Sequence, residues 1–279
     1  MNTPNSTSNN CADCPACRTA TTYRTQRALL APSHTSAAFQ GKTSQIAAQH
    51  ARFWSHPEAH ADVGAYALGS SGPVEHVYGA PEPAAKWLKA STPFTSWKGP
   101  VLAESAGALI VGNRSSFDAG QYLEAPERAG MSIVHVLGIP RAGLFNGVSL
   151  NANSVAIVDE MVALFKASWA SRPFREAVMA HQRRAIMGRF EETRGGSGWD
   201  AYGLALKHYM ELESMVLDGL TADDFAFGLH LWPDHSVGHL HLHIIAMPYA
   251  CRKYSTAHHD AKTKDAFEVR DFIKSLPSN

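Results

Sequence analysis

Five of the chain's 15 histidines fall between positions 230 and 243. Imidazole titrates near pH 6.5, so at neutral pH it can carry a proton, attack as a nucleophile or bind a metal ion. The run His239-Leu240-His241-Leu242-His243-Ile244 alternates strictly. Successive side chains of a strand point to opposite faces, so the three histidines share one face. Leu240, Leu242 and Ile244 share the other and would anchor it on a core. Neighbouring histidines are then about 6.6 Å apart along the strand, and the outer two about 13 Å. Two chemistries fit that spacing. An adjacent pair can ligate a metal ion, but the outer pair cannot easily share one, so a third ligand such as His135 or His230 must come from elsewhere. Alternatively, His241 is a nucleophile: a neutral imidazole attacks well when an acceptor holds its second nitrogen. Its flanking histidines and nearby amides would then stabilise charge on a phosphoryl group. A plain row of surface histidines on an edge strand is the third reading.

The elements around this strand follow from the hydrophobic pattern. Ala108–Val111 and Ser132–Ile139 read as strands, the second closed by Pro140, which has no N–H for a ladder. Ser149 or Asn151 can cap a helix running to about Trp169, with Val155, Val158, Met161, Val162 and Phe165 on one face. Two further helices span roughly 174–192 and 200–217, joined by a loop containing GGSG. Phe225–Trp232 and Val237–Met247 read as strands separated by a Pro233–Asp234 turn. A last helix covers 265–276. Upstream, SQIAAQHARFW is a short helix in an otherwise irregular extension, because Pro57, Pro73, Pro81, Pro83, Pro93 and Pro100 break any long element. The five aromatic residues from Tyr66 to Trp97 are expected to pack on the folded domain rather than bind anything.

With 25 basic and 25 acidic residues among 279, the formal net charge is zero. That balance argues against a chain built for non-specific binding to nucleic acid or membrane surfaces. No stretch approaches the roughly 18 apolar residues of a membrane span. Residues 1–43 are polar and lack a hydrophobic period, which reads as a disordered tail. From Met1 to Pro57 the only acid is Asp13, beside Arg18, Arg24, Arg27, Lys42 and Arg52. Such a composition also suits an organelle transit peptide, whereas no apolar stretch suggests a secretory signal. Cys11, Cys14 and Cys17 have spacing that could begin a zinc site, but no second ligand pair is visible.

The segment HLHLHII at 239–245 resembles the His-φ-His-φ-His-φ-φ signature of the histidine triad (HIT) superfamily of nucleotide hydrolases and transferases. The longer stretch FGLHLWPDHSVGHLHLHIIAMP is most similar to its Hint-type and aprataxin-like branch. HVLGIPR at 135–141 resembles the family's upstream strand signature. The resemblance covers roughly 100–250 and implies an α+β HIT-like fold: an antiparallel sheet of about five strands with packed helices. A helical insertion at about 174–217 has no counterpart in small members. The expected organisation is a tail (1–43), an irregular N-terminal extension (44–100), the HIT-like catalytic domain (101–255) and a C-terminal tail or helix (256–279).

The resemblance also implies roles. His241 is the nucleophile that forms a nucleotidyl-histidine at the α-phosphate of a nucleoside phosphate ester, anhydride or phosphoramidate. His243 contacts the phosphate, and His239 lies deeper and supports the strand. His135 lies near the triad, and Ser236 hydrogen-bonds phosphate or leaving group. His230 and Asn113 border the substrate, with Asn113 reaching for the ribose. His235 departs from the usual pattern, either as an acid to the leaving group or as a solvent-facing residue. The expected partner is a small purine nucleotide, with neither cofactor nor metal. A nucleic-acid substrate is the less favoured alternative, and no membrane is involved. A homodimer is compatible with the family, and the expected location is cytoplasm or nucleus unless the tail targets an organelle. Readings from other classes are a nucleotide-sensing or interaction module on a HIT scaffold and a metal-dependent hydrolase using the histidine cluster.

Overall fold

The computed structural model describes residues 38–69, 99–113, 116, 130–192, 199–252 and 258–277. The expectations for Cys11, Cys14 and Cys17 and for most of the tail lie outside them. Helices α1 (Thr43–Trp54) and α2 (Ala59–Gly69) precede strands β1 (Val101–Glu104), β2 (Ala108–Gly112) and β3 (His135–Pro140). Helices α3 (Ala156–Trp169), α4 (Arg172–Glu192) and α5 (Trp199–Gly219) follow, then strands β4 (Phe225–His230) and β5 (Leu242–Ala246). The chain continues through α6 (Tyr249–Arg252), α7 (His258–Lys262), β6 (Thr263–Asp265) and α8 (Ala266–Ser275). The architecture is α+β: a six-stranded antiparallel sheet, ordered β1-β2-β3-β5-β4-β6, with several packed helices.

The sheet has two different faces because its strands alternate. Ile110, Val136, Leu242, Ile244, Phe225 and Phe227 face the main core, where Met161 and Phe165 of α3 cover them. That is the apolar anchor expected of Leu242 and Ile244, and Leu240 is buried in the same cluster. The opposite face carries His135, His243 and His230. It also carries two small apolar clusters, Leu109–Val111–Leu137–Ile139 and Phe39–Met131–Ala226–Ile245.

Several sequence expectations change. The sheet has six strands rather than about five. β1 is half exposed, and β6 is Thr-Lys-Asp with no apolar pattern, so neither carries the period-2 signal that marks a strand. Close pairing of β6 with β4 needs Gly228, since a Cβ there would meet the Thr263 methyl at 2.4 Å. The segment after 256, expected as a tail or lone helix, therefore completes the sheet and supplies core residues Val269 and Ile273. Its helix starts where the Asp265 carboxylate accepts the N–H groups of Phe267 and Glu268, an N-cap.

The histidine strand is also shorter than the expected 237–247. The register pairs Gly138 with Leu242, so continuing it would set Pro140 against Leu240. Proline has no N–H to donate. Leu240 donates instead to the Leu144 carbonyl at 2.7 Å, and the ladder begins only at Leu242. His239 and His241 thus lie on irregular backbone ahead of β5.

Finally, the last residues of the expected tail are docked. Phe39 is fully buried against Met131, Ala226 and Ile245, and its carbonyl accepts the Asp265 N–H. Gly41, at φ +74°, turns the chain so that the N–H groups of Gly41 and Lys42 both reach the Glu268 carboxylate. Phe39→Ala should therefore destabilise the fold by about 3 kcal/mol or more. Urea unfolding measures this, and a change under about 0.5 kcal/mol, typical of a surface site, contradicts the docking.

Candidate active site

The three triad histidines are buried, not arrayed on an open surface. Their hydrogen bonds assign their tautomers, because a carbonyl can only accept and a neutral imidazole has one donor and one acceptor nitrogen. His239 Nε2 lies 3.1 Å from the Pro140 carbonyl, so it carries the proton. Its Nδ1 must then accept, and the Tyr66 hydroxyl donates to it at 2.6 Å. His241 Nδ1 lies 2.8 Å from the His239 carbonyl and donates to it. That leaves the His241 lone pair on Nε2.

A second chain of bonds runs through the other rings. The Asn113 amide nitrogen donates to His135 Nδ1 at 3.3 Å, so His135 Nε2–H donates to His243 Nδ1 at 3.0 Å. His243 then carries its proton on Nε2, a buried atom with no hydrogen-bond partner among the described residues. The His241 and His243 rings are 4.7 Å apart, centroid to centroid, and the His230 and His243 rings 4.1 Å. His230 Nε2 donates to the Thr263 hydroxyl at 2.9 Å, and that hydroxyl donates to the His259 carbonyl at 2.7 Å.

Burial keeps these rings neutral. His135 falls to about 3 and His239 to about 4, each chiefly because an imidazolium would lose its hydration. His241 falls below its ordinary value for the same reason, opposed by its bond to the His239 carbonyl. His230 and His243 lie well below it, desolvation again leading. The Lys262 ammonium adds to both shifts and makes no ion pair among the described residues.

The remaining expected residues divide. His230 and Asn113 join the cluster, where the Asn113 amide nitrogen meets His135 Nδ1. His235 packs edge-on against Phe145, with ring centroids 5.4 Å apart. Both its ring nitrogens are buried without partners among the described residues, so it is not the solvent-facing residue considered from sequence. Desolvation lowers it to about 4. Ser236 is exposed, and its hydroxyl makes no hydrogen bond among the described residues. Tyr66, Thr263 and Lys262 were not foreseen. Tyr66 sits in a proline-broken aromatic stretch, and Thr263 and Lys262 in a polar C-terminal segment, so neither pattern signals a site.

Among the described residues no group of three or more His, Cys, Asp or Glu is arranged to hold a metal ion. The nitrogens that a His239–His241 site would use face protein partners instead: both of His239, and Nδ1 of His241. A cavity of about 580 Å³ beside Trp54 and Ile273 contains none of the triad residues. Among the described residues no helix is long and apolar enough to cross a membrane. Comparison with family models, curated proteins and solved structures finds no match to this chain.

The neutral imidazoles make stability pH-dependent. His135 and His239 bind a proton near pH 6.5 when unfolded but only near 3 and 4 when folded. Between these values the unfolded chain holds the extra protons. Stability is thus complete above about pH 6.5 and falls as pH drops, by about 1.4 kcal/mol per pH unit for each such group. The urea midpoint should fall steadily from pH 7 to pH 5, and a flat midpoint contradicts neutral burial.

Proposed function

We propose that the chain is a HIT-like nucleotide hydrolase or nucleotidyl transferase acting at an α-phosphate through His241. One observation carries this reading: the His239 carbonyl holds Nδ1–H of His241, which places the lone pair on Nε2, in a ring 4.7 Å from that of His243, whose Nε2–H has no partner among the described residues. A neutral nucleophile next to a buried, uncommitted donor suits attack on an anionic phosphoryl group. The triad motif, the HVLGIPR strand paired beside it and the antiparallel sheet are consistent with the same family resemblance.

The reaction proceeds in two displacements. His241 Nε2 attacks the α-phosphorus and forms an N–P bond, while the bond to the leaving group breaks and its electron pair departs with that group. The ring becomes positive, and its Nδ1–H stays bonded to the His239 carbonyl, which stabilises that charge. His243 Nε2–H donates to a phosphoryl oxygen. Water or another acceptor hydroxyl then attacks phosphorus, the N–P bond breaks, and its electron pair returns to Nε2. The proton from the attacking hydroxyl is released to solvent or to the departed group. The substrate class is a purine nucleotide ester, anhydride or phosphoramidate.

Brief mixing with an adenosine phosphoramidate followed by peptide mass spectrometry tests the assignment. A nucleotidyl adduct should map to the peptide containing His241 and vanish in His241→Ala, whose turnover should fall about 10⁴-fold or more. Near-normal turnover by that variant rejects the covalent scheme.

The pH profile gives a separate check. The neutral ring is the nucleophile, and burial keeps His241 neutral below its ordinary value. The rate of adduct formation should therefore hold as pH falls through 6.5 and decline only below it. An acid limb centred above 6.5 contradicts this environment.

A further inference from the structure

Two of the three triad histidines, His239 and His241, precede β5, and contacts from outside the β3–β5 ladder help set their position. Two contacts come from the end of β3 and the loop after it: His239 Nε2–H to the Pro140 carbonyl, and Leu240 N–H to the Leu144 carbonyl. Another comes from α2, 173 residues away in sequence, where the buried Tyr66 hydroxyl meets His239 Nδ1 at 2.6 Å. The Tyr66 ring stands edge-on to Phe145 at 6.0 Å, and Phe145 is stacked on Phe53 of α1 at the same distance. The α1–α2 extension is thereby wedged against the loop that also holds Leu240.

We propose that Tyr66 is a positioning residue for His241, and that α2 is a working part of the active site. This inference rests on the nucleotidyl-transfer reading above. Tyr66 donates to one side of the His239 ring while Pro140 accepts on the other. A half-turn of that ring would present C–H groups to both partners and lose both bonds. The orientation of residue 239 in turn sets its carbonyl, which holds His241 Nδ1–H and so aims the Nε2 lone pair. Burial pushes the Tyr66 phenol up, so it remains a donor throughout the neutral range. Removing the hydroxyl leaves His239 Nδ1 buried without its donor, which favours other ring orientations and the other tautomer.

Tyr66→Phe keeps the ring and deletes only the donor. Single-turnover formation of the nucleotidyl adduct should slow about tenfold with KM unchanged, the size of one neutral hydrogen bond. In ¹H–¹⁵N spectra of the imidazoles, His239 should show a protonated Nε2 and bare Nδ1 in the wild type and a mixed population in the variant. A more acidic fluorinated tyrosine at position 66 preserves packing should Tyr66→Phe fail to fold. It should introduce an alkaline limb in the rate that the wild type lacks, because ionising the phenol removes the donor. If the wild type forms the adduct and Tyr66→Phe forms it equally fast with unchanged His239 signals, the Tyr66 role is overturned and the reading of His241 stands. If the wild type forms no adduct, it is the reading of His241 that fails.

Discussion

The site depends on keeping several imidazoles buried and neutral. A neutral ring has one donor and one acceptor, so each hydrogen bond dictates the direction of the next. The carbonyls of Pro140 and His239 are fixed acceptors that set the rings of His239 and His241. The amide of Asn113 does the same for His135 and, through it, His243. Protonating one ring would break this pattern and place a charge among apolar neighbours, which burial disfavours. The fixed ring orientations and the neutrality of the rings thus share one cause.

The scaffold meets that constraint with unusual pieces. Pro140 ends the pairing of β3 with β5, so the triad leaves the ladder where its backbone is needed for other bonds. The freed Leu240 N–H goes to Leu144, and the His239 carbonyl goes to His241. The loop in between is tied to β4 by Asn146, whose amide donates to the His230 carbonyl and whose oxygen accepts Trp232 N–H. On the other side, Gly228 admits β6, and the Thr263 hydroxyl of that strand accepts a hydrogen bond from His230 Nε2–H. Segments from both ends of the described chain therefore brace a cluster whose histidines lie near its middle and end.

Much of this was legible from residue order. The period-2 run placed Leu240, Leu242 and Ile244 on the core side, and their burial there follows from apolar transfer. Helical spacing marked the three long helices between the two signature strands, and Pro140 marked a strand end. What was hidden shares a feature: it is short, polar or built from single contacts. β6 has three polar residues and no period. Phe39 lies in a segment whose composition reads as disordered, yet one phenyl ring against Met131, Ala226 and Ile245 docks it.

The sequence by itself determined the apolar anchor of Leu240, Leu242 and Ile244 and the mixed α+β character, because these are local periodicities that backbone geometry converts directly into faces. Only the tertiary structure decided which nitrogen of each ring holds the proton, that the histidine face is buried and that Tyr66 belongs beside His239. Apart from the short bond between His241 and the His239 carbonyl, those outcomes depend on partners far apart in the chain. A hydrogen bond spanning 173 residues leaves no trace in spacing, because its direction and length exist only after the chain has folded around it.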